Sequence, residues 1–142
     1  MNSKILTSNP VWENGISLIR ICAGIMIMMF GKEIFDEATM NDYTKFLTDI
    51  GISSPRFMLM LAKLTELIGG AFLIVGLFTR IIVFPLMMTM LTIVWYMSDG
   101  NLFNGGTAST FFLLFLLFLF LGSGKFSLDY VFFDKAKINT NK

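Results

Sequence analysis

Arg20, Lys32, Lys63 and Glu66 stand in or at the edges of long apolar runs, and with them this chain can do chemistry. Lys63 and Glu66 are the only ionisable groups between Arg56 and Arg80, in R-F-M-L-M-L-A-K-L-T-E-L-I-G-G-A-F-L-I-V-G-L-F-T-R. At about 1.5 Å per residue, that run is long enough to cross a hydrocarbon layer about 30 Å thick. An ionised carboxylate near the middle of such a layer costs on the order of 2.5–3.5 kcal/mol, so Glu66 requires a proton or a cationic partner. Lys63 lies one turn before it on the same helix face, Arg20 belongs to an earlier apolar run, and Lys32 sits at the far end of that run. Two uses fit this pattern. A carboxylate among hydrogen-bond-donating cations can hold a polar headgroup and exchange a proton with it. The same charges can instead form an ion-pair cluster that fixes helix register. The spacing supports both uses and does not select the partner of Glu66 among the three cations.

Positioning these groups requires two closely packed helices. Ala62, Gly69 and Gly76 recur at intervals of seven and share a face with Glu66. In the first apolar run, Arg20, Gly24, Ile27 and Gly31 fall at alternating steps of four and three, placing a cation and two glycines on one face. Small residues let helix backbones approach in lipid. The spacing therefore predicts an antiparallel pair with Gly31 near Ala62, Gly24 near Gly69, and Arg20 about two turns from the level of Glu66.

The rest of the chain fits a membrane setting. Of 142 residues, 55% are apolar and 15% charged, and the mean hydropathy of +0.72 exceeds that of an ordinary soluble domain. A net charge of +1 without a basic block argues against nucleic acid as a partner. With no histidine and a single cysteine, the chain lacks the usual ligands for haem, copper and zinc and cannot form an internal disulfide. No metal site is expected, and Cys22 reads as a small core residue deep in a span. The N-terminal M-N-S-K-I-L-T-S-N-P has no apolar core or cleavage site, so no cleaved signal peptide is expected.

The expected fold is an all-α membrane protein, a four-transmembrane-helix bundle forming one domain over residues 1–142, with spans at about 11–35, 57–79, 81–97 and 106–122. Trp12 anchors the first span at the interface. Between the first two spans, Tyr43, Phe46, Leu47 and Ile50 fall at helical spacing and Gly51 ends the pattern. This predicts a short amphipathic helix on the membrane surface, with a lid over a pocket between the spans as the alternative. Thr79-Arg80 alone joins the second and third spans, which makes them an antiparallel hairpin. In the third, Pro85 is placed to kink the helix, Thr89 and Thr92 to make inward polar contacts, and Trp95 and Tyr96 to mark the interface. The fourth, nearly pure Phe and Leu, reads as lipid-facing all round and short for a span. After Gly122-Ser123-Gly124 an interfacial C-terminal segment follows, and Asp129 there is expected to form a salt bridge with Arg80. Lys4, Arg80, Lys125, Lys135, Lys137 and Lys142 fall on one side against Lys32, Lys45 and Arg56 on the other, which predicts both termini in the cytoplasm.

The Arg-containing first run ending G-K-E-I-F-D, the block K-L-T-E-L-I-G-G-A-F-L-I-V-G-L-F-T-R and the terminal G-S-G-K-F-S-L-D together resemble the DoxX family of small four-span bacterial membrane proteins, over nearly the whole chain. The family often has His-Gly where this chain has Phe30-Gly31, so no histidine-dependent proton or metal role carries over. The resemblance implies Arg20, Lys63, Glu66, Gly69, Gly70, Gly76, Thr79, Arg80, Gly122, Gly124, Ser127 and Asp129 as motif residues, in a bundle of the bacterial inner membrane. It also implies a connection with quinones: some relatives are subunits of a thiosulfate:quinone oxidoreductase, and others accompany resistance to quinones, catechols or oxidative stress, often beside a soluble partner. The expectation is a quinone-associated membrane subunit of an oxidoreductase or detoxification system, in which Arg20 or Lys63 donates to a quinone carbonyl and Glu66 takes the accompanying proton. Without a nucleophile and base, metal ligands or a nucleotide-binding glycine loop, the chain is not expected to be an enzyme alone, and electrons would come from a soluble or membrane oxidoreductase partner. The alternatives are a non-catalytic scaffold or small-lipophile-binding protein and a small transporter, the last disfavoured because the second hairpin carries no charges. The Phe-rich fourth span suits either membrane lipids or a neighbouring protomer of a homo-oligomer.

Overall fold

The computed structural model describes residues 15–134, which are all-helical, with no strand among them. Helix α1 spans Gly15–Gly31 and runs into a 3-10 turn, Lys32–Phe35; α2 spans Glu37–Asp49, α3 Pro55–Val75, α4 Thr79–Met97 and α5 Gly106–Leu121, and a π-helical turn covers Tyr130–Asp134. The expected start of the first span with Trp12, and Lys4, Lys135, Lys137 and Lys142 from the orientation argument, lie outside the described residues. Two helices, α3 with 21 residues and α4 with 19, are long and apolar enough to cross a membrane. At 17 and 16 residues, α1 and α5 are shorter.

Helices α1, α3, α4 and α5 surround one core, to which they bring Ile27, Leu73, Leu86 and Phe115 among others. The principal pairings are α1 with α3 and α4 with α5. Phe111, Phe115 and Phe118 are buried while Leu113, Leu117 and Phe120 point outward, so α5 is not lipid-facing all round. A helix without a polar stripe gives no sign in its sequence of which apolar face is the inner one. Cys22, expected in the core, lies on the exposed face of α1, because Ala23 and Gly24 take the inner side. The hydroxyls of Thr89 and Thr92 bond within their own helix, Thr89 donating to Pro85 O at 3.0 Å and Leu86 O at 2.9 Å and Thr92 to Met88 O at 2.8 Å. Bonding back to the i−4 carbonyl satisfies a hydroxyl where no water is at hand.

The pairing of α1 with α3 is antiparallel, in a register other than the expected one. Gly24 meets Gly70: a Cβ on Gly24 would lie 2.9 Å from Gly70 O, and one on Gly70 would lie 2.8 Å from Gly24 O. Gly31 abuts the Leu67 backbone instead of Ala62, and Gly69 turns to the Leu86 side chain of α4. Gly69 and Gly70 are about 100° apart around α3, and it is Gly70 that faces α1. Gly76 lies past the last residue of α3. It caps α3 at φ +72°, donating to Phe72 O at 2.8 Å, in a conformation that favours glycine. The connection is therefore Gly76-Leu77-Phe78, and Thr79 and Arg80, expected to form the loop, are the first residues of α4.

The amphipathic α2 begins at Glu37, earlier than the apolar spacing that starts at Tyr43. Asp36 is its cap: Oδ1 accepts from Ala38 N at 3.2 Å and Oδ2 from the Thr39 hydroxyl at 2.6 Å. The Thr39 hydroxyl bond holds the Asp36 carboxyl below its ordinary range. Met40 is buried against the rest of the fold, whereas Phe46 and Ile50 stay exposed. Arg56 ties α2 to the start of α3 through Glu37 at 2.9 Å and Asn41 at 2.7 Å. Helix α2 thus covers one end of the α1–α3 pair.

Candidate functional site

Helix α3 presents Lys63 and Glu66 one turn apart toward the C-terminal end of α1, and the 3-10 turn that follows α1 brings in Glu33. Lys63 Nζ donates to Glu33 Oε2 at 2.8 Å, Glu66 Oε2 at 3.2 Å and Phe30 O at 3.3 Å. An ammonium has three N–H groups, so Lys63 is fully used. The side chains of Lys63 and Glu66 are 9% and 3% exposed, that of Glu33 29%. From α2, the Tyr43 ring lies 5.2 Å from the ammonium, a cation–π contact of about 0.5–2 kcal/mol. Burial pushes the Tyr43 phenol above its ordinary value, the charge of Glu33 adds to this, and Lys63 opposes it.

Among the three cations, Lys63 is the partner of Glu66. Lys32 is exposed, and Arg20 lies at the other end of the helix pair. Fully buried, Arg20 donates from Nη1 to Ser123 O at 2.7 Å and from Nη2 to Phe126 O at 2.8 Å and Ile74 O at 3.5 Å. Ile74 is eight residues beyond Glu66, about 12 Å along the helix at about 1.5 Å per residue. The expected cluster is thus two separate polar centres. Glu33, absent from the expected set, completes the first. It stands outside a regular helix, where residue spacing gives no side-chain direction.

The terminal motif builds the second centre. Gly124, at φ +77°, passes so close to Ser17 that a Cβ would run into its hydroxyl, and Phe126 N donates to Ser17 Oγ at 3.3 Å. Ser127 Oγ lies 2.8 Å from Gly124 O and accepts from Tyr130 N at 3.1 Å. Gly76 leaves the space that the Arg20 guanidinium fills. Asp129 is not paired with Arg80. Its carboxylate accepts from Phe78 N at 2.6 Å and Thr79 N at 2.9 Å, and its own N–H donates to Gly76 O at 3.0 Å. The free N–H groups and positive dipole end of α4 outcompete a long flexible side chain for that carboxylate. Arg80 reaches Phe120 O at 3.5 Å, beside Gly122. Rather than only resting on an interface, the terminal segment closes this end of the helices.

The Lys63 centre has different capabilities. A buried carboxylate and a partly exposed one share a single ammonium, which suits exchange of a proton along the helix surface. Among the described residues no three His, Cys, Asp or Glu groups come together as a metal site would require.

The model of the DoxX family matches residues 15–99, which contain the whole Lys63 centre. An uncharacterized protein of Haemophilus influenzae is 41% identical over 86 residues, 55% of this chain and 64% of that protein. The chain therefore covers less than two thirds of that relative. No solved structure matches it.

Proposed function

From its membership of the DoxX family, to which this chain belongs through residues 15–99, we propose a four-span protein of the bacterial inner membrane that serves as a quinone-associated membrane subunit of an oxidoreductase or detoxification system. Family membership and two long apolar helices support a helical membrane protein. In this reading α1 and α5 complete the four spans, their outward Leu18, Met29, Leu113 and Phe120 meet lipid, and both chain ends lie in the cytoplasm.

The observation that carries the reading is Glu66, a carboxylate 3% exposed in the middle of α3 and held by an ammonium that a second carboxylate shares. Reducing a quinone to a quinol takes two electrons and two protons. A partner oxidoreductase supplies the electrons, and Glu66 supplies protons to the quinone oxygen, oriented by Lys63. Arg20, whose Nη donors are bound to three backbone carbonyls, holds the helix end and takes no part at this site.

Glu66→Gln keeps the shape and removes the proton. Binding of a quinone analogue to the purified protein is expected to vary with pH, and in the variant to be weaker and independent of pH. Unchanged affinity at every pH in a folded variant would refute the proposal. A second reading, a non-catalytic scaffold or lipophile-binding protein, is favoured by the full occupancy of the Lys63 N–H groups, which leaves that ammonium nothing to offer a ligand carbonyl. It predicts no quinone binding to wild type.

A further inference from the structure

Lys63 is one positive charge bound to two carboxylates. The acceptor oxygens of Glu33 and Glu66 lie 2.8 and 3.2 Å from the same Nζ, so they are no further apart than those two arms laid end to end. Among the described residues, Lys63 is the cation paired with these two carboxylates, and Lys45 of α2 is exposed. The 3-10 turn carries Lys32, which is exposed; α2 offers the Tyr43 phenol; α1 offers the Phe30 carbonyl, itself an acceptor. Arg56 is engaged by Glu37 and Asn41, while Arg20 and Arg80 stand at the opposite end of the helices. With both carboxylates ionised the cluster would hold a net negative charge beside the Glu66 carboxylate, whose side chain is 3% exposed, a state that protein interiors avoid by taking up a proton.

We propose that Glu66 and Glu33 share one exchangeable proton across Lys63, which makes the cluster a relay between the middle of α3 and the surface 3-10 turn. In the transfer step the Lys63 ammonium gives one of its protons to the Glu33 carboxylate, and the neutral amine so formed turns its lone pair to the Glu66 carboxylic acid and takes that proton. Glu66 becomes the carboxylate, Glu33 the acid, and Lys63 and the total charge are unchanged. The proton belongs to the pair and not to either residue. Glu33 is the more exposed of the two carboxylates, so exchange with water occurs there, on the side of the protein that carries α2. The Tyr43 ring beside Nζ shields the ammonium between them. The inference rests on reading Glu66 as a proton-exchanging group, and it holds whether or not the ligand is a quinone.

Infrared spectroscopy of the full chain in lipid nanodiscs, with isotope-labelled glutamate, tests this directly. Wild type is expected to show a protonated glutamate carboxyl band at neutral pH. Both Glu66→Gln and Glu33→Gln are expected to lose it, because either leaves one carboxylate matched to one ammonium. Absence of the band in wild type, or its survival in Glu33→Gln, would overturn the shared proton. Should Glu66→Gln not fold, the Glu33→Gln arm decides alone, its helicity checked by circular dichroism. Quinone-analogue binding is a separate readout: a shared proton without binding removes the quinone role and leaves the relay, and binding without a shared proton does the reverse.

Discussion

Replacing Gly31 by alanine separates the tight α1–α3 contact from ordinary helix propensity, because the two act in opposite directions. Alanine is worth up to about 1 kcal/mol more than glycine in a helix interior, and less at Gly31, the last residue of α1. Against this, the new Cβ would run into Leu67 N and lie 2.6 Å from Leu67 Cα, where ordinary contact begins at 3.4 Å. The first obstacle is backbone, so no rotamer change relieves it and the helices must part by roughly 1 Å, at an overpacking cost of about 1–3 kcal/mol. The net expectation is a loss of about 1–2 kcal/mol. The displacement also reaches the polar centre. Phe30, next in the chain, accepts from Lys63 at 3.3 Å; the same parting stretches this bond to about 4 Å, beyond the usual range for a hydrogen bond. Equilibrium unfolding in mild detergent measures the first effect, and the glutamate carboxyl band the second. A Gly31→Ala protein as stable as wild type or more so, with an unaltered carboxyl band, would show that the helices are not in contact at this point.

Two further expectations concern the helix ends. Asp129→Ala should cost about 0.5–2 kcal/mol, as loss of a helix N-cap does, while Arg80→Ala changes stability little and the double variant is additive; a clearly non-additive loss would mean that the two side chains pair after all. Tyr43 should show alkaline pH dependence. Its phenol is raised above 10.0 in the folded protein, first by burial, so the neutral form is favoured there; the stability this contributes is complete below the unfolded value and disappears as pH rises through the folded one. In a phenolate absorbance titration a late component should be present in wild type and missing in Tyr43→Phe, and a wild type with no late component would contradict the raised phenol.

The outlines of α3 and α4 are legible in the sequence because hydropathy and length are properties of each helix by itself. The pairing of Lys63 with Glu66 is legible for the same reason, being one turn of a single helix. What could not be read depends on rotation or on distant backbone. Gly69 and Gly70 are adjacent, and a rotation of about 100° decides which of them meets α1. Arg20 bonds to the carbonyls of Ser123 and Phe126, and a carbonyl is the same whatever side chain follows it. Asp129 has an obvious cation nearby in Arg80 but prefers two N–H groups of a helix start, whose position was off because Gly76, not Thr79, ends the previous helix. Glu33 is hidden by the short 3-10 turn, which interrupts the periodicity on which a facing direction is judged.

The grip of Arg20 on the terminal loop bears on how the protein is made. Ser123, which accepts from Nη1, is synthesised 103 residues after the arginine, and Phe126 106 residues after it. Chains fold and insert from the N-terminal side as they emerge. In the four-span arrangement proposed above, the first helix therefore meets the bilayer as a cation whose two short-range acceptors do not yet exist, and it waits near the headgroups or is screened by water until the last helix has been threaded. Settling of α1 to its final depth is, in that arrangement, the closing event of assembly, and a chain stalled before Ser123 should keep its first helix shallow.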